Sequence, residues 1–85
     1  MQVSIRLSAA LAQITGVPRV QVEVAEDATV ATATAVLIAR YPGLEPRLKH
    51  AVPILAGAHA TAADRLAPGQ ELAFLMPVAG GGTAG

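Results

Sequence analysis

The sequence predicts an α+β fold in which one main helix packs on one face of a mixed sheet of four to five strands. Three observations predict it. Short segments of period-two alternation bracket a single segment of helical periodicity, with Gly, Pro or small polar residues between them. The chain has 85 residues and is 53% hydrophobic, which suits one core rather than two. Aromatic residues supply only 2%, so Val, Ile and Leu must build that core with Tyr41 and Phe74.

Val3, Ile5 and Leu7 alternate with Gln2, Ser4 and Arg6, the pattern of a half-buried first strand. Ser8 to Ile14 is Ala-rich and reads as a short helical turn closed by Thr15-Gly16. Val20, Val22 and Val24 then alternate with Arg19, Gln21 and Glu23, a second strand expected to pair antiparallel with the first. Glu26-Asp27-Ala28-Thr29 ends that strand, and Thr29 is placed to cap a helix beginning at Val30. Val30, Ala33, Thr34, Leu37, Ile38 and Tyr41 recur at helical spacing and are expected to face the sheet. Arg40 suits the negative end of the helix dipole, and Pro42-Gly43 stops the helix.

Leu44 to His50 reads as a connector with a turn of helix from Pro46 to His50. Val52, Ile54 and Ala56 mark a third strand, with Pro53 where the ladder does not need its missing N–H. Gly57-Ala58 is expected to turn the chain into a short fourth strand over His59–Ala62. Leu66 anchors the next loop, and Pro68-Gly69 fits a type II turn because Gly supplies the positive φ. The last strand runs from Gln70 to Leu75, with Leu72 and Phe74 inward and Ala73 and Leu75 outward. The expected body is therefore 1–76. Residues 77–85, with Gly80-Gly81-Gly82 and no large side chain after Val78, read as a flexible tail that cannot offset its backbone entropy by burial.

Composition narrows the function. Six basic and six acidic residues are scattered singly, without the basic stripe that nucleic acid or an anionic membrane would demand. The absence of Cys excludes a thiolate nucleophile, a disulfide framework and a cysteine zinc site. No basic segment precedes an apolar run at the N-terminus, and no run approaches a membrane span, so a cytoplasmic protein is expected. His50 and His59 have no third ligand at metal-site spacing and read as ordinary histidines. Asp64-Arg65 reads as a solvated loop pair and Arg6 as a surface charge, with docking of an acidic partner as its sharper alternative. Lys49, the only lysine, is the one side chain that could accept an isopeptide bond.

Three stretches carry a resemblance to a known family. Arg40-Tyr41-Pro42-Gly43-Leu44, Leu66 to Phe74, and Pro77-Val78-Ala79-Gly80-Gly81 resemble the helix end, the last turn and strand, and the C-terminal signature of the MoaD/ThiS ubiquitin-like sulfur carriers. Within that family the likeness is strongest to molybdopterin synthase small subunits. The resemblance covers residues 1–81 and implies a β-grasp fold. It implies a carrier rather than an enzyme, with the catalytic residues on a partner subunit. An E1-like adenylyltransferase would use ATP to activate the terminal glycine carboxylate, and a sulfur donor protein would convert it to a thiocarboxylate. The molybdopterin synthase large subunit would then be the recipient complex. No cofactor is expected on the chain itself.

By that resemblance Gly81 is the reacting residue and Gly80 its neighbour, where a Cβ would obstruct entry to a narrow channel. Ala73, Leu75, Met76, Pro77, Val78, Ala79 and Gly82 are the candidate partner contacts. The chain departs from the family by continuing through Gly82-Thr83-Ala84-Gly85. A trimming protease, use of Gly85 itself, loss of the carrier role and a cloning remnant are the readings, trimming being favoured. Relatives often carry an Asn-Gly turn where this chain has Ala56-Gly57. Rival functions are a carrier for thiamin or cysteine synthesis, a ubiquitin-like protein modifier, and an inert interaction module.

Overall fold

β1 (Gln2–Leu7), β2 (Arg19–Glu23), β3 (Val52–Leu55), β4 (Ala58–His59) and β5 (Glu71–Leu75) form one sheet in the order β2-β1-β5-β3-β4. The computed structural model describes residues 1–77. β1 pairs antiparallel with β2 and parallel with β5, while β3 is antiparallel to both β4 and β5. The strand formed last in sequence therefore lies at the centre, which is the β-grasp, ubiquitin-like arrangement.

Between β1 and β2 the chain makes α1 (Ala9–Thr15), closed by Gly16 at φ 81 with its N–H bonded to the Ala12 carbonyl. The main helix is α2 (Val30–Arg40). Thr29 caps it by accepting the Thr32 N–H at 3.4 Å, as its position before the apolar repeat predicts. Val30, Ala33 and Leu37 are buried, whereas Thr34, Ile38 and Tyr41 are half-buried at the margin of that face. The Thr34 hydroxyl donates back to the Val30 carbonyl at 2.8 Å, so the helix satisfies it internally. Arg40 does more than complement the dipole. Its guanidinium donates to the Gln21 carbonyl at 2.9 Å, covering one acceptor on the free edge of β2.

Pro42-Gly43 ends α2 and also starts the next element. A 3₁₀ turn (Pro42–Leu44) runs into α3 (Glu45–Leu48), so the connector coils earlier than the expected turn from Pro46. Leu44 and Leu48 are the cause, since both are buried and draw that turn onto the core. The inward residues of the sheet are Val3, Ile5 and Leu7, Val20 and Val22, and Leu72 and Phe74. They meet Leu11, the α2 stripe and Leu66 in one cluster. Each fully buried side chain of this size contributes about 1.5–3 kcal/mol of transfer free energy, which makes the sheet–helix contact the main source of stability.

Two expectations for the second half need correction. β3 stops at Leu55, and β4 is Ala58–His59 rather than His59–Ala62. The turn falls on Ala56-Gly57, with φ 51 and 84, so the hairpin closes one residue earlier through the Leu55–Ala58 pair. Asp64 then accepts the Thr61 N–H at 2.8 Å and bends the chain away before the strand can lengthen. Pro53 is placed as expected. Its carbonyl accepts the Ala60 N–H at 3.0 Å, so its nitrogen shares the β4 side, beyond that short strand, and β5 loses no bond. Gly69 has φ 83 and the Gln70 N–H bonds the Ala67 carbonyl at 3.2 Å, the type II turn expected at Pro68-Gly69.

Candidate docking face and tail root

The outer face of the sheet is organised by β5. Leu72 and Phe74 point into the core, so Glu71, Ala73 and Leu75 point out. Register then decides their neighbours, because directly paired residues share a face. Ala73 lies between Arg6 on one side and Ile54 on the other, while Val52 pairs with Leu75. One transverse row thus reads Arg19, Arg6, Ala73, Ile54, His59 across all five strands.

This row grades from cationic to apolar. Val52, Ile54, Ala73 and Leu75 make an apolar strip, and Leu75 is 48% exposed at the point where the chain leaves the sheet. A depression of about 290 Å³ lies against it, lined by Arg6, Ile54, Ala56, Gly57, Glu71, Ala73 and Leu75. At the cationic end, Arg6 and Arg19 stand directly opposite each other, and Glu71 lies between them. Arg19 Nη2 meets Glu71 Oε2 at 2.9 Å, whereas Arg6 Nη1 is 3.7 Å from Oε1. One carboxylate is shared by two guanidiniums, and the trio is net positive.

Of the residues expected at the partner surface, Ala73 and Leu75 lie on this face as read. Met76 is half-buried and packs its side chain against the protein's own core, while Pro77 is exposed. Val78, Ala79, Gly80, Gly81 and Gly82 lie outside the described residues, as does the rest of the expected tail from 78 to 85. Val52, Ile54 and the Arg19–Glu71 pair belong to the face but escaped the sequence reading. The signal that could have found the first two was the unbroken apolar run Val52–Leu55, which is the mark of a strand apolar on both faces.

Among the described residues no group of three His, Cys, Asp or Glu is placed to hold a metal ion, and no helix is long and apolar enough to cross a membrane. A cavity of about 530 Å³ lies on the other side of the sheet between α2 and the loop after β4. Its walls include Val30, Ile38, Leu48 and Phe74 and carry no ionisable group.

The chain matches the ThiS family over residues 5–81. Among solved structures it is similar to small archaeal modifier protein 1 of Haloferax volcanii at 34% identity, covering 95% of this chain and 100% of that one with a TM-score of 0.87. A putative molybdopterin converting factor subunit 1 from Pyrococcus furiosus shares the fold at 17% identity, with 92% and 99% covered and a TM-score of 0.82. The same holds for a chain of the BexX/CysO complex of Amycolatopsis orientalis, at 21% identity, 93% and 99% coverage and a TM-score of 0.78. No curated protein gives a match. With the family match spanning nearly its whole length, the chain belongs to the ThiS family, whose small proteins are sulfur carriers or ubiquitin-like modifiers rather than catalysts.

Proposed function

We propose that the chain is a sulfur carrier acting through a C-terminal glycine thiocarboxylate, as the small subunit of a molybdopterin synthase. One observation carries the reading. The central strand β5 hands the chain from the middle of the sheet, beside an exposed apolar strip, directly to a segment containing Gly80-Gly81-Gly82. A domain built this way presents its terminus together with a docking face and keeps its own core intact.

The chemistry follows from the carboxylate. A carboxylate resists acyl transfer until its oxygen attacks the α-phosphate of ATP, releasing pyrophosphate and leaving an acyl adenylate. The outer sulfur of a donor protein's persulfide then displaces AMP to give an acyl disulfide, and a thiol attacks the donor's sulfur, releasing the thiocarboxylate and leaving a disulfide on the donor. An E1-like adenylyltransferase supplies the first step, and the catalytic residues of sulfur transfer lie on the large subunit. A protease hydrolyses the Gly81–Gly82 bond beforehand, so that Gly81 bears the carboxylate. Ala73, Leu75, Pro77, Val78, Ala79 and Met76 contact these partners in turn, Gly80 permits close approach, and Gly82 sits in the protease's cleft before cleavage. The setting is the cytoplasm.

The test is intact mass of the protein purified from its native host, where the trimming protease acts, before and after incubation with the E1-like enzyme, ATP and a sulfur donor. A species ending at Gly81 whose mass rises by the difference between sulfur and oxygen is the expected result. A chain that stays full length and gains neither adenylate nor sulfur refutes the proposal. Carriers for thiamin or cysteine synthesis would give the same mass change and differ only in the acceptor that consumes the sulfur.

A second reading has its own support. The 34%-identical relative is a modifier protein, so attachment of the terminal glycine to target lysines is the competing fate of the same adenylate. It predicts conjugates that resist thiol reductants and vanish when Gly81 is lost. Sulfur transfer predicts a free thiocarboxylate instead.

A further inference from the structure

Resting on the carrier reading, we infer that Arg6 is the residue by which the outer face selects its activating partner, binding a carboxylate of the E1-like adenylyltransferase beside an apolar side chain seated over Ile54, Ala73 and Leu75. The sheet carries an electrostatic fault at this point. Arg6 and Arg19 are direct cross-strand neighbours, and like charges so placed destabilise a strand pair. Glu71 offsets this for Arg19, which it holds at 2.9 Å, but only loosely for Arg6 at 3.7 Å.

Arg6 therefore keeps unused donors, its side chain is 63% exposed, and it lines the depression rather than the sheet edge. Its neighbour in the same row is Ala73, too small to screen it, and beyond that lies Ile54. With strands spaced about 4.8 Å apart, the guanidinium's strand and the apolar strand are roughly 10 Å apart. A segment carrying one apolar side chain and one carboxylate at that separation satisfies both ends. Charge complementarity favours an acidic contact because the trio is net positive. The strip's continuity with the tail root places that contact where the chain end must be delivered.

Glu71 competes with the incoming carboxylate for Arg6, so the two residues should act with opposite sign. The experiment is calorimetric titration of the full chain and its variants into the E1-like adenylyltransferase that activates the wild type, at low and high salt. Arg6→Gln should weaken binding about 5- to 30-fold and flatten the salt dependence. Glu71→Gln should tighten it about 2- to 5-fold, since it releases Arg6. Leu75→Glu should weaken binding about tenfold or more by placing a charge in the strip. An unchanged affinity and salt slope for Arg6→Gln, with Leu75→Glu still weakened, overturns the role of Arg6 and leaves the face reading standing. Wild-type affinity in all three variants overturns both. Failure of any such enzyme to activate the wild type overturns the carrier reading and this inference with it.

Discussion

Ala56→Asn should stabilise the protein without touching its core. Ala56 sits at φ 51 and Gly57 at φ 84, and together they close the β3–β4 hairpin across the Leu55–Ala58 pair. Two consecutive positive φ values define the type I′ turn, for which Asn-Gly is the favoured pair. An L-residue such as Ala holds the left-handed region at a cost of about 1–2 kcal/mol, whereas Asn visits it readily. The Ala56 N–H also bonds the Glu71 carbonyl at 3.3 Å, so the strained residue is pinned and cannot relax to another basin. Recovering about half the cost gives roughly 0.5–1 kcal/mol. At about 4–8 °C per kcal/mol for a domain of this size, the melting temperature should rise by about 2–8 °C. Gly57→Ala is the companion test. A Cβ there meets nothing within 4 Å, so its destabilisation would be purely conformational. Thermal melts followed by circular dichroism decide the matter. An Ala56→Asn protein that melts at or below the wild type would refute the turn argument.

Three further outcomes are expected. Leu72→Ala, on the central strand at 0% exposure, should cost about 2–5 kcal/mol and is measured by denaturant titration. Thr29→Ala should cost only about 0.5 kcal/mol in the same titration, the low end for a cap, because its bond to the Thr32 N–H is long at 3.4 Å. Leu75→Glu should leave stability within about 0.5 kcal/mol, since half the side chain is already in water; a large loss would mean Leu75 belongs to the core.

Strands β1, β2 and β5 and helix α2 were legible because each buries one face and exposes the other. Alternation of Val3-Ser4-Ile5-Arg6-Leu7, or the α2 repeat Val30-Ala33-Leu37, fixes the phase from sequence alone. Thr29 and the Pro68-Gly69 turn were legible for a local reason, their chemistry being decided within four residues. The β3–β4 hairpin was not. An Ala in the left-handed region carries no sequence signal, so the sequence puts the turn one residue late and carries the short strand to Ala62, three residues past its end at His59. The proposed reacting end is legible only as a row of glycines, because the chemistry proposed for it would reside in a terminal carboxylate that no side-chain pattern announces.

Val52, Ile54 and Ala56 mark the third strand in the sequence, yet its core-side residues are Pro53 and Leu55, paired with Phe74 and Leu72. A run such as Val52-Pro53-Ile54-Leu55 is apolar on both phases, so periodicity cannot say which set turns inward. The register with β5 chooses, because β5 itself has an unambiguous inner face. The residues left over, Val52 and Ile54, are then forced onto the outer face beside Ala73 and Leu75. They are half-buried there, and the core does not require them. A strand apolar on both sides, in a sheet with helices on only one, leaves an apolar strip that folding alone does not use. Its position against the exit of the chain is what the proposed docking of a second protein would use.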